Sequence, residues 1–178
     1  MTPMVPRPSE VAPAIAPDAT PDATVIDAAP ELAIAEARDV TAALAIALPV
    51  MRTAGGGDHA WLLARYGRWQ WSDVEGPVET TVALVEKDAE PEVGKRLCAE
   101  GEIDRIERRD VGTRKTFVGT LRTDAGDRIA FTAVGSTGDL VKRSRARFCG
   151  IVTGKIMTDA AVFGLFDLPE TRAPQVEQ

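Results

Sequence analysis

The 178-residue chain reads as a mainly β protein: a five-stranded small barrel with one short helix between the third and fourth strands, preceded by a partly helical extension. Three observations predict this. Strand-length segments with period-two alternation recur at short intervals from residue 95 onward, separated by Gly, Asp and Ser turn signals. One helix-start motif, Ser136 with Asp139 three residues later, interrupts that series. Upstream of it the texture is proline-rich, then alanine-rich, with helical spacing. The length suits one domain with appended segments.

Residues 1–30 hold seven of the twelve prolines among alanines and a few acids, with the near-repeat PDAT at 17–20 and 21–24. Such a stretch buries too little apolar surface to offset its ordering entropy, so it is expected to be a disordered leader. Residues 31–93 are expected to form a helical, tryptophan-containing extension. Pro30 suits the first position of a helix that runs to Pro49, with Val40, Ala43, Leu44, Ala47 and Leu48 on one face. The run 40–48 also resembles the apolar core of a signal or anchor. Arg38, Asp39 and Arg52 flank it, Pro49 interrupts it and it falls short of the ~20 residues a bilayer requires, so a packed helix is expected. Gly55 to Gly57 break the chain, Asp58 is placed to cap a second helix ending at Gly67, and Trp69 and Trp71 alternate as in a short strand. The cluster of three tryptophans and one tyrosine within 61–71 fits either a stacking platform or the contact that docks the extension onto its neighbour.

The five expected strands are 96–107, with Gly101 at a tolerated bulge, then 115–123, 128–134, 146–154 and 161–168. In the second, Phe117, Gly119 and Leu121 face inward. In the third, Ile129, Phe131 and Ala133 do so. A turn at Asp124–Asp127 joins these two strands. Three strands, a short helix and two strands within about 75 residues is the layout of the OB-fold, a small Greek-key barrel. Gly94, Lys95, Gly101, Gly150 and Gly154 match the glycine pattern of the bacterial OB domains grouped as tRNA-anticodon-like. Residues 94–170 resemble that family; residues 1–93 do not enter the likeness, and 171–178 are expected to be a disordered tail. The resemblance implies fold kinship and not tRNA binding. It also implies that Cys98 and Cys149, on strands 1 and 4, are antiparallel neighbours, expected as two free, buried thiols in a reduced cytoplasmic protein.

Two cysteines and one histidine cannot complete a four-ligand zinc site or a disulfide-built scaffold. The first ten residues lack the pattern of a secretory signal and no apolar run nears ~18 residues, so a cytoplasmic chain without an integral membrane segment is expected. No nucleophile, base and orienting group can be assembled around His59, which argues against an enzyme. Gly150 to Lys155 has three residues between its glycines and is followed by Ile156, so it is no phosphate-binding P-loop. Asp124 and Asp127 are turn acids and not a calcium loop. No cofactor is expected.

Charge is the more informative feature. The chain carries −6 overall. Residues 1–94 carry 6 basic and 15 acidic side chains, whereas 95–170 carry 14 basic and 11 acidic. Ligands of OB barrels lie on the face of strands 2 and 3 and against the loops joining strands 1 to 2 and 4 to 5. Arg108, Arg109, Arg114 and Lys115 fall at the first loop, Lys155 at the second, and Arg122 and Arg128 between them. These seven are the candidate ligand-binding residues, and Lys142, Arg143 and Arg145 are expected to be solvent-facing charges. A non-enzymatic binding module for single-stranded nucleic acid is the reading chosen. Its alternatives are a structural module that docks a partner protein, or an envelope-associated OB protein. The barrel is expected to fold independently, with the acidic extension able to lie across its groove.

Overall fold

The structure, a computed structural model, describes residues 24–54 and 59–173. Most of the expected leader, 1–23, and the end of the tail, 174–178, lie outside the described residues, as does the Asp58 cap. Helix α1 spans Thr24–Ala35 and carries Pro30 inside it and not at its start. The single long helix expected up to Pro49 is two helices. Asp39 Oδ1 accepts the Ala42 N–H at 2.8 Å and so caps a new helix, α2, Val40–Ala54, with Pro49 inside it. Of the expected stripe, Ala43 and Ala47 are buried, and Val40, Leu44 and Leu48 are partly buried and pack against the same cluster, which Met51 joins one turn on.

Short helices α3 (Trp61–Ala64) and α4 (Trp71–Val74) follow, so the expected Trp69–Trp71 strand is absent. Asp73 explains this, because its Oδ2 accepts the Gln70 N–H at 2.8 Å and turns the chain into a helix at Trp71. Trp69 donates from Nε1 to Leu63 O at 2.7 Å and packs 5.0 Å from the Phe163 ring. Helix α5 spans Val82–Lys87, capped by Thr81.

The strands are β1 (Arg96–Arg108), β2 (Thr116–Thr123), β3 (Arg128–Val134), β4 (Arg145–Ile156) and β5 (Asp159–Phe166), close to the expected bounds. They close into a barrel in the order β1-β2-β3-β5-β4, with β3–β5 parallel and the other pairings antiparallel. Its interior holds Leu97, Ile103, Leu121, Ile129 and a triad of Phe131, Phe148 and Phe166 with ring centroids 5.0 to 5.5 Å apart. The bulge expected at Gly101 lies between Ile103 and Arg105. Gly101 serves close approach instead, since a Cβ there would stand 2.0 Å from Arg122 O.

The helix expected between β3 and β4 is absent. Ser136 Oγ accepts from Gly138 N, two residues on, and Gly135, Gly138 and Arg143 take left-handed φ values of 79°, 49° and 73°, so the segment makes turns. Val82 and Val85 of α5, upstream of the barrel, pack into the interior cluster. A four-residue helix α6, Pro169–Arg172, straddles the expected start of the tail at 171, and its Arg172 binds Asp167 at 2.5 and 2.7 Å.

A second core lies outside the barrel. Ile34, Met51, Leu63 and Trp69 of the extension join Val134, Cys149, Phe163 and Leu165, which face outward from the strands. β5 is therefore buried on both faces. Extension and barrel share this core, and the helices cover β4 and β5. Cys98 and Cys149 are register partners with Cα atoms 4.1 Å apart and form a disulfide, not the two free thiols expected. The family resemblance implies the proximity; the bond follows from the sulfurs meeting across the β1–β4 pair.

Candidate functional site

Alternation along β2 and β3 turns Thr116, Val118, Thr120, Ala130 and Thr132 outward while their neighbours fill the core. These residues floor a groove of about 670 Å³. Its rims are the loop after β1, from Arg109 to Gly112, and the β4–β5 turn at Ile156 and Met157. Its third wall is α3, through Ala60, Trp61 and Arg65. Among the described residues, the extension contributes a side to the β2–β3 face through these residues and leaves the groove open.

The loop after β1 is held by backbone hydrogen bonds. Val111 and Arg114 exchange backbone hydrogen bonds at 3.0 Å, and Arg109 N–H donates to Thr116 O at 2.7 Å. Gly112, at φ 60°, fits the turn and the space, because a Cβ there would lie 3.0 Å from Arg65 Nη1. Arg114 Nη1 donates to Gly67 O at 2.7 Å and ties the loop to the extension.

Four arginines line the groove, Arg65, Arg105, Arg109 and Arg128, with Asp110 and Asp159 beside them. Arg65 pairs with Glu31 at 3.2 Å, Arg105 with Glu107 at 2.7 Å and Arg128 with Asp159 at 3.6 Å. Among the described residues Arg109 has no ion pair. The Arg105 hydrogen bond, then burial opposing it, leave the Glu107 carboxyl below its usual range, and the Arg108 hydrogen bond does the same for Asp110. These acids are charged at neutral pH and mute the arginines they hold.

Of the seven cations named from the sequence, Arg109 and Arg128 reach the groove. Arg108 turns to Asp110 at 2.8 Å. Arg114 and Lys115 line a separate hollow of about 520 Å³ beside Trp69 and Gly135. Arg122 lies between Glu102 and Asp104 at 3.5 and 3.4 Å, and Lys155 Nζ donates to Glu86 O at 2.8 Å. Lys142, Arg143 and Arg145 are exposed, with Arg145 on Asp124 at 2.6 Å. Sequence reasoning missed Arg65, Arg105 and the lining role of Trp61. The four-residue spacing of Trp61 and Arg65, one helical turn, is the signal that joins two of them.

Among the described residues no group of three or more His, Cys, Asp or Glu is placed to hold a metal, and no helix is long and apolar enough to cross a membrane. No family model matches the chain, and no curated protein matches it. Among solved structures it is similar to a Klebsiella pneumoniae subsp. pneumoniae MGH 78578 protein named "putative nucleic acid-binding lipoprotein", with 22% identity over 44% of this chain and 74% of that one, and a TM-score of 0.35. Function has to be read from the groove.

Proposed function

We propose that this chain is a non-enzymatic OB-type binding module, kin to the tRNA-anticodon-like barrels, that takes single-stranded nucleic acid across its β2–β3 face with little sequence preference. The observation that supports it is the convergence of Arg65, Arg105, Arg109, Arg128 and Trp61 on one open groove floored by small polar and apolar strand residues. Arginines track phosphates, and an aromatic ring suits any base because every base has a π-face. The docking-module alternative loses its motif, since Trp69 and Trp71 are buried within the chain at 4% and 6% exposure.

Anisotropy of a fluorescent oligothymidylate with the full chain tests the proposal. With Arg65, Arg109 and Arg128 on phosphates and Arg105 held by Glu107, log K should fall with log salt at a slope of about −2, at ~0.7 per contact. Arg109→Glu with Arg128→Glu should cut the slope to about −0.7, whereas Lys142→Glu with Arg143→Glu should leave it unchanged. Absence of binding at low salt would remove the proposal and favour a protein-docking role.

A further inference from the structure

We infer that the helical extension supplies the base-recognising wall of the groove, with Trp61 as the stacking surface and Arg65 as the cation that positions it. This rests on the nucleic-acid reading above and adds to it which side chain meets the base and that the determinant lies outside the barrel.

The barrel has used its own aromatics. Phe131, Phe148, Phe163 and Phe166 are buried, and Phe117 packs against the interior. Strands β2 and β3 therefore present Thr, Val and Ala to a ligand, which gives a base little to stack on. Trp61 is the tryptophan that is half-buried and lines the groove, in contrast to Trp69 and Trp71. The Arg65 guanidinium lies 5.6 Å from its ring centroid, close to Gly112 on the barrel loop and 3.2 Å from Glu31. Held from three elements, Arg65 fixes the ring where α3 meets the groove.

Two polar atoms in the same walls lack partners. Thr116 is 1% exposed, and its Oγ1 has no hydrogen-bond partner among the described residues; the buried Arg65 Nε has none either. Both groups can donate, and leaving a buried donor unpaired is costly unless an acceptor arrives. A nucleotide carries what the walls lack, an aromatic face for Trp61 and acceptor oxygens for the hydroxyl and guanidinium. On the opposite rim Met157, at φ 55° and 93% exposed, holds an apolar side chain out at the groove's edge, a backbone state uncommon outside glycine.

The test compares oligothymidylate with an abasic oligonucleotide of equal length, using the full chain and its Trp61→Ala and Trp61→Phe variants, each checked by circular dichroism melting. The wild-type chain should prefer the base-bearing strand about tenfold. Trp61→Ala should lose that preference while binding the abasic strand as before, and Trp61→Phe should keep most of it. If Trp61→Ala retains the wild-type preference, or weakens both strands equally, the extension's role is wrong while the groove reading stands. If the wild-type chain binds neither strand, the groove reading itself falls.

Discussion

Arg105 is kept from any ligand by the residue two positions on. Side chains two apart share one side of a strand, so Glu107 receives its guanidinium at 2.8 and 2.7 Å, and Asp110 receives Arg108 by the same spacing just beyond the strand. Because the Glu107 carboxyl titrates below its usual range, the pair is intact at neutral pH and opens only as pH falls through that lowered value. Glu107→Gln should therefore release Arg105 at pH 7. One further phosphate contact steepens the salt slope by ~0.7 and tightens binding about fivefold at 0.1 M salt, measurable by the same anisotropy titration. Melting should change little, because the pair is exposed. Unchanged affinity would place Arg105 outside the phosphate path. Basic residues were legible from the sequence, but their partners were not. A guanidinium is neutralised by whichever carboxylate the fold brings near, as Asp159, from a different strand, shows for Arg128 at 3.6 Å.

Strands were the most legible elements, since alternation in β2 and β3 is written every second residue and the expected inward sets fill the core. Helix ends were less so. Ser136 with Asp139 reads as a capping box, yet glycines at 135 and 138 favour turns locally, and α5 enters the interior cluster from upstream. The β1–β4 seam carries the disulfide, closing a loop 51 residues apart in sequence. Changing Cys98 and Cys149 together to serine, or reducing the protein, should lower the unfolding free energy by roughly 2–4 kcal/mol in urea titrations. Such bonds persist in oxidising compartments, so protein isolated with thiols blocked at lysis should show no reactive cysteine after denaturation. Two reactive thiols would instead show that the bond does not form in the cell.

Across the whole molecule, the outer face of β4 and β5 decides whether the barrel stands alone. Phe163, Leu165, Val134 and Cys149 lie under the helices in a core shared with Trp69, Leu63 and Met51. A fragment that begins at residue 94 would expose that face, and large contiguous apolar patches promote association. It should aggregate, or unfold at lower urea than the full chain, by size-exclusion chromatography and circular dichroism. A monomeric fragment of undiminished stability would show that the barrel is independent, as first expected. A cue was present in the sequence: DAAVFGLF has no polar alternation after its first residue, which marks a strand buried on both faces. By itself the sequence determined the five strands, their inward faces and the basic bias of the barrel, because these depend on period-two spacing and local composition. Only the tertiary structure decided that the extension covers β4 and β5, that the two cysteines bond, and that Trp61 and Arg65 join Arg109 and Arg128 in one groove. Those facts depend on which surfaces meet after the chain has turned back on itself. The contacts that make them join residues some 40 or more positions apart, and no local pattern carries that information.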